Sequence, residues 1–395
     1  MVNMFILFLM IASACAVSWP WGRYSIVKPK SGCPLGWATG WRYQDNEDSN
    51  NINSVTPSIG HHFFARRSVK KEIMSIYRSI VWFVKGLKEY TKQGYLNASR
   101  SFRPNDLDVD VTGKSFMITG ANSGIGKCTA LAIAKKGGIV HMVCRDSIRG
   151  EDARKEITDT TGNQNVFLHL LDMSKPKDIA KFAADFETSG KNLDVLINNA
   201  GCMVIVRELT DDGLEKNFAT NTLGAHVLTT SLLSVLNKAE KPRVILVTSG
   251  GMLVQKLDLK DLQFEKMYPF DGTMAYAQNK RQQVIMTEQY AKNYPNIHCS
   301  CMHPGWADTP AVRMSMPSFH AKMKDRLRTP EQGADTLLWL AISDAALQQP
   351  SGLFFQDRTS VSKHLPLAWS KSTKQEDEQL MASLDELSKQ YSTLS

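Results

Sequence analysis

The chain has 395 residues, 43% of them hydrophobic and 22% charged. These values supply a large buried core and exclude a disordered or fibrous chain. The net charge, 47 − 39 = +8, is scattered apart from Arg66, Arg67, Lys70 and Lys71, which argues against a nucleic-acid partner.

Residues 1–73 read as an N-terminal extension. Residues 5–10 are apolar, and Ala14-Cys15-Ala16 resembles a signal-peptidase site, but no positive n-region precedes it. A secretory signal in residues 1–19 and an upstream extension without structural role stay equally open. Residues 20–73, rich in Gly, Pro, Asn and Ser, show no sustained period and read as loosely ordered. Residues 74–112 read as an amphipathic helix and lead-in. Ile76, Ile80, Phe83, Leu87 and Tyr90 fall at helical spacing, with Arg78, Lys85, Lys88 and Lys92 largely off that stripe. Such a helix either packs on the following domain or lies on a membrane surface. Trp82, Tyr77 and the four cations favour the membrane surface. Asn97-Ala98-Ser99 is a glycosylation sequon, relevant only in the secretory pathway.

From residue 113 onward, short apolar runs alternate with helical stretches. Strands are predicted at 115–119, 139–143, 165–171, 195–198, 244–248, 297–302 and 353–355, with helices such as 124–136 and 214–236 between them. Runs apolar on both faces suit a buried parallel sheet, so the expectation is an α/β, doubly wound, Rossmann-type sheet in a single domain over 113–370. Leu380, Leu384, Leu387 and Tyr391 mark an amphipathic helix within 371–395 that packs on its own domain.

The first strand runs into Thr119-Gly120-Ala121-Asn122-Ser123-Gly124-Ile125-Gly126. Gly120 permits the turn, Gly124 lets the backbone approach a pyrophosphate, and Gly126 lets the helix close on the strand. Asn122, Ser123 and Ile125 complete the loop, and the helix N-terminus offers N–H groups to the phosphates. Arg145 stands where an NAD-preferring site would carry an acid, so a 2′-phosphate and NADP(H) are favoured, with NAD(H) as the alternative. Lys127 is a second candidate cation, and Asp146 blurs the choice. Asp172, Asn198, Ala200, Gly201, Pro304, Gly305 and Thr309 lie at or just after later strand ends, where open α/β sheets bind ligands.

Tyr276 and Lys280 sit four residues apart on a predicted helix and so share a face. A phenol titrates near ~10, and a nearby cation lowers that value, so the pair makes a proton donor of Tyr276. Lys280 also reaches a nicotinamide ribose, so both residues belong to the cofactor site as well. Ser249, after the fifth strand, is placed to orient a substrate carbonyl. Asn221 is placed to bind water and connect Lys280 to solvent. The seven cysteines include no CxxC pair, so no metal site is expected, and their usage suits a reducing compartment.

In this order, TGANSGIG, NNAG, Ser249, YAQNK and PG resemble the short-chain dehydrogenase/reductase family over residues 113 to about 370. The resemblance implies about seven parallel strands, NADP(H) or NAD(H), and interconversion of a small-molecule carbonyl and alcohol. A lipophilic substrate is expected, since the 27 residues from Ser249 to Tyr276 hold Leu253, Val254, Met267, Tyr268 and Phe270, which with Trp306 could line an apolar pocket. The other reading is an NADPH-binding interaction protein with little or no turnover. The expected location is cytoplasmic and membrane-associated, with the secretory pathway as the alternative. Oligomeric state stays open.

Overall fold

The computed structural model describes residues 76–392. The readings made for residues 1–73, including the signal-like segment, lie outside them. An eight-stranded sheet has the order β3-β2-β1-β4-β5-β6-β7-β8. It comprises β1 (Ser115–Thr119), β2 (Ile139–Cys144), β3 (Val166–Leu170), β4 (Val195–Asn198), β5 (Arg243–Val247), β6 (His298–Met302), β7 (Leu353–Gln356) and β8 (Thr359–Ser360). β1 to β7 are parallel, and the two-residue β8 turns back antiparallel on β7. Seven strands match the sequence expectation to within a residue or two. β8 is too short to leave a periodic signal.

Alternation along the strands explains the two layers of helices. Phe116 and Ile118 of β1 enter one core, and Met117 enters the other. The first core is closed by α3 (Gly124–Lys135), α4 (Ser147–Thr161) and α10 (Pro330–Ile342), through Ala130, Ile133, Ile157, Leu337 and Trp339. The second is closed by α5 (Pro176–Thr188), α6 and α7 (Gly272–Asn293). Here α6 denotes the run Lys216–Phe218, Ala219–Leu223 and Gly224–Ser231, whose middle part is a π-turn. The C-terminal helix α11 (Lys374–Ser392) lies over this second layer, with Leu380 and Leu384 fully buried and Asp385 Oδ1 2.9 Å from His226 Nε2.

At the N-terminal end of the described residues, α1 (residues 76–89) and α2 (Lys92–Ser99) pack on the domain. The two aromatics that favoured a membrane surface are both hydrogen-bonded to the domain. Trp82 Nε1 donates to Gly250 O at 2.7 Å, and Tyr77 donates to Pro366 O at 3.1 Å. Tyr90 is fully buried against Trp306 and His303. Of the apolar stripe, Ile76 and Phe83 remain exposed. Among the described residues, no helix is long and apolar enough to cross a membrane.

The junction of α1 and α2 is fastened by Arg328. Its guanidinium is buried and pairs with both oxygens of Asp357, at 2.6 and 2.9 Å. It also donates to the carbonyls of Glu89, Thr91 and Pro304. Removing one partner of a buried ion pair leaves the other charge stranded, at a cost of about 3–5 kcal/mol. Arg328→Met is therefore expected to lower the urea midpoint by that equivalent, and Arg328→Met with Asp357→Leu to recover part of it. An unchanged midpoint in the single variant would show that the pair does not fasten this end of the molecule.

Candidate active site

Strand order reverses between β1 and β4, which opens a crevice beyond their C-terminal ends. The glycine loop fills its floor. Gly120 and Gly124 have φ of +68° and +53°, where a side chain is strained. A Cβ on Gly126 would collide with the Gly120 carbonyl and with Asn199 Nδ2. Ser123 is the N-cap of α3, yet its hydroxyl makes no capping bond, which leaves it available to an anion. Asn122 is half-buried in the loop. The Ile125 side chain turns away, against Gly333 of α10, so Ile125 offers only its backbone.

Asn199 holds the loop in place. Its Nδ2 donates to the Thr119 and Gly120 carbonyls at 2.9 and 3.2 Å. Thr119 Oγ1 in turn accepts from the backbone N–H of Asn199 and of Ala200, at 3.0 and 2.9 Å. The sequence reading named Asn198, Ala200 and Gly201 around it and passed over Asn199. Asn198 is buried with Nδ2 donating to Thr229 Oγ1 at 3.0 Å, so its amide braces α6. Ala200 lies against Gly120, and a Cβ on Gly201 would stand 3.2 Å from Asn221 Oδ1 and 3.4 Å from Lys280 Nζ.

Around the crevice the charged candidates separate. Arg145 is exposed just beyond β2. Asp146 is the N-cap of α4 and accepts from Arg149 N–H at 3.0 Å. Lys127 is paired with Glu156, at 2.7 Å to both oxygens, so it does not serve the loop as expected. Asp172 accepts from the N–H and hydroxyl of Ser174, at 2.9 and 2.8 Å, and shapes its own turn. Pro304 and Gly305 form the turn after β6, with Gly305 at φ +76° beneath the Arg328 side chain. Thr309 caps α8 (Pro310–Ser315), which α9 (Pro317–Met323) follows, and lies beside Gly124.

α7 brings Tyr276 and Lys280 to this crevice, beginning at Gly272 under the Asp271 cap. Tyr276 is half-buried beside Ser249, whose side chain favours the phenolate, and Lys280 Nζ lies 5.2 Å from the Tyr276 ring centroid. The long segment after Ser249 does not displace it. Arg281, buried, donates to the carbonyls of Met252, Gln255 and Lys363, and Gln278 donates to Lys256 O at 2.7 Å. From the other side, Gly250 N–H donates to His303 Nδ1 at 2.9 Å, while its carbonyl accepts from Trp82.

The expected lowering of the phenol by the ammonium is not what this arrangement gives. Burial pushes Tyr276 up to about 12, with the Cys202 thiol adding to the rise and the Ser249 side chain opposing it. Burial pushes Lys280 down to about 8. The ammonium stands over the ring, and desolvation is the largest influence on both groups. Lys280 Nζ is held by Val247 O at 2.9 Å and Gln283 Oε1 at 3.1 Å. Asn221, in the π-turn of α6, makes two bonds to the Cys202 backbone, at 2.9 and 2.8 Å. Cys202 and Gln283 carried no motif signal. Only the fold brings them beside Lys280.

The apolar wall expected from the long segment is not formed as proposed. Leu253 is in the interior, Trp306 packs on Trp82 and Tyr90, and Tyr268 is 97% exposed. Apolar groups border the site elsewhere. Ser315 Oγ donates to Met203 O at 3.1 Å, and Gly272 backs onto Val204 and Ile205. α8, the start of α7 and residues 203–206 therefore meet, presenting Ile205, Val206, Met274 and Met314 to solvent. Among the described residues, no group of acidic, histidine and cysteine side chains is placed to hold a metal.

The described fold and site have recognised relatives. The family model for short chain dehydrogenase matches residues 114–259. Human dehydrogenase/reductase SDR family member 12 is 62% identical over 318 residues, covering 80% of this chain and 100% of that protein. Human retinol dehydrogenase 11 is 37% identical over 255 residues, covering 63% and 79%. A short chain dehydrogenase of Shigella flexneri, solved in complex with NADP, superposes with a TM-score of 0.52 at 21% identity, covering 63% of this chain and 99% of that one. With its parallel sheet, its glycine loop and a relative this similar over its whole length, the chain belongs to the short-chain dehydrogenase/reductase family.

Proposed function

We propose that this oxidoreductase interconverts a carbonyl and an alcohol on a lipophilic small molecule, with NADP(H) preferred over NAD(H). The observation that carries the reading is the meeting of Ser249, Tyr276 and Lys280 at the mouth of the crevice floored by the glycine loop. The loop fits a dinucleotide, because its glycines leave room that any Cβ would fill. When bound, the nicotinamide supplies or takes the hydride. Tyr276 gives its proton to the carbonyl oxygen, Ser249 orients that oxygen, Lys280 holds positive charge beside both, and Asn221 fixes the Cys202 backbone that borders them. Gly120 to Gly126, Asp172, Ala200, Gly201, Pro304, Gly305 and Thr309 would border a bound dinucleotide.

Arg145 supports the NADP(H) preference. It is the exposed cation at the end of β2, and the neighbouring acid, Asp146, is engaged as a helix cap. The NADP in the Shigella dehydrogenase accords with this. The retinol dehydrogenase relatives, together with Ile205, Val206, Met274 and Met314 at the rim, support a lipophilic substrate. A second reading, a cofactor-binding protein with little turnover, draws on the high Tyr276 and low Lys280 values, which both work against easy proton transfer. A membrane-associated location is supported by exposed Ile76, Phe83 and Val84 on α1. Leu367 and the 79% exposed Trp369 follow Pro366, which Tyr77 holds against that helix.

Purified protein is expected to oxidise NADPH with members of a panel of apolar aldehydes and ketones. Tyr276→Phe should lower that turnover by about 10²–10⁴-fold with NADPH affinity retained. Unchanged turnover in the variant would remove the mechanism, and NADPH binding without turnover across the panel would favour the second reading. Arg145→Ala should weaken NADPH binding roughly tenfold and leave NADH binding nearly unchanged. Equal losses for both cofactors would contradict the 2′-phosphate role. Phe83→Asp with Val84→Asp should abolish co-sedimentation with vesicles containing anionic lipid. Retained sedimentation would end the anchor reading, and glycosylation of Asn97 in cells would place the chain in the secretory pathway.

A further inference from the structure

Lys280 and Asn221 do not meet directly. Between them stands Gln283, one helical turn after Lys280 on α7 and fully buried. Its Oε1 accepts from Lys280 Nζ at 3.1 Å, and its Nε2 donates to the main-chain carbonyl of Asn221 at 2.6 Å. The two ends of one amide thus join the ammonium to the π-turn of α6. The π-turn matters here, because it lies where α6 passes α7 and so sets the height at which the Asn221 carbonyl meets the helix carrying Lys280.

We propose that Gln283 is a positioning residue that fixes the Lys280 ammonium at the active site and favours its charged form. The inference rests on the role proposed for Lys280 and goes beyond it, since it assigns to an amide the contact that the sequence reading gave to water at Asn221. An amide suits this place physically. It offers an acceptor to the ammonium and a donor to the carbonyl, and it carries no charge that would need burial of its own. It also exchanges no proton at neutral pH, so it holds Lys280 without draining it. The titratable groups facing the ammonium are Tyr276 on the same helix and Cys202 after β4. β5 and α6 present neutral groups, the Val247 carbonyl and the Asn221 amide. With Tyr276 and Cys202 both pushed up by burial, they stay neutral near neutral pH, and the acceptors on Lys280 then decide its charge.

The sign of each change is fixed. Lys280 titrates near about 8 in the intact protein, and losing an acceptor lowers that value further. A carboxylate in place of the amide raises it. The test follows Lys280 by NMR of the full chain labelled with 13C-lysine, its signal identified with Lys280→Arg. Gln283→Met should lower the titration by roughly one pH unit and Gln283→Glu should raise it by at least as much. With an accepted carbonyl, the alkaline limb of kcat should move in the same directions. Gln283→Met should lose roughly tenfold in kcat with KM retained, and Gln283→Glu should recover part of it. Gln283→Asn keeps the amide but is one methylene too short to span both partners. It should behave like Gln283→Met, and it serves if the methionine variant does not fold. A Lys280 titration unchanged within about 0.3 unit in Gln283→Met and Gln283→Asn, or in whichever of them folds, would overturn the assignment. Because the titration needs no substrate, it still decides the matter if the turnover proposed above fails.

Discussion

A buried ammonium constrains the architecture around it. Lys280 is withdrawn from water, and each of its donors must find an oxygen inside the protein or the charge cannot persist. The end of β5 supplies Val247 O and α7 supplies Gln283 Oε1. Thr248 Oγ1 closes the same junction by donating to the Lys280 carbonyl at 2.7 Å. Strand, helix and π-turn are therefore locked to one another at the point where Ser249 and Tyr276 emerge. The same burial drives the Lys280 and Tyr276 values apart.

The cofactor side depends on a comparable economy of polar groups. Thr119 and Asn199 hold the ends of β1 and β4 together through four hydrogen bonds, two from the Asn199 amide and two to the Thr119 hydroxyl. This clamp sets the glycine loop at the strand-order reversal, and the missing side chains of Gly120 and Gly126 make the approach sterically possible. The outer flank is held from further away. Arg328 and Asp357 fasten α1 and α2, α1 presents Trp82 to Gly250, and His303 takes the Gly250 N–H from the opposite side. The helix preceding the sheet is thus part of the wall behind Ser249.

The alternation of short apolar runs with helical stretches made the sheet legible, because strands buried on both faces need apolar residues throughout and their crossovers need ten or more residues. The glycine loop, Ser249, Tyr276 and Lys280 were legible for a similar reason. Each is a residue type that local chemistry demands at a strand end or on one helix face. Trp82 and Tyr77 do not decide the membrane reading, because an aromatic with a polar tip suits a lipid interface and a hydrogen bond to the protein equally well. The pocket assigned to Tyr268 and Trp306 failed because hydropathy along a loop does not say which way the loop folds back.

By itself, then, the sequence determined the fold class, the order of the strands along the chain and the residues able to carry acid, base and phosphate chemistry, since these follow from period, spacing and side-chain type. Tertiary structure alone decided the partners. Lys127 could have faced a phosphate and is taken by Glu156. Gln283, silent in the sequence, stands between Lys280 and Asn221. Hydrogen bonds and ion pairs act over about 3 Å, and such distances between Lys127 and Glu156, 29 positions apart, or Gln283 and Asn221, 62 apart, exist only once the sheet and its helices have closed.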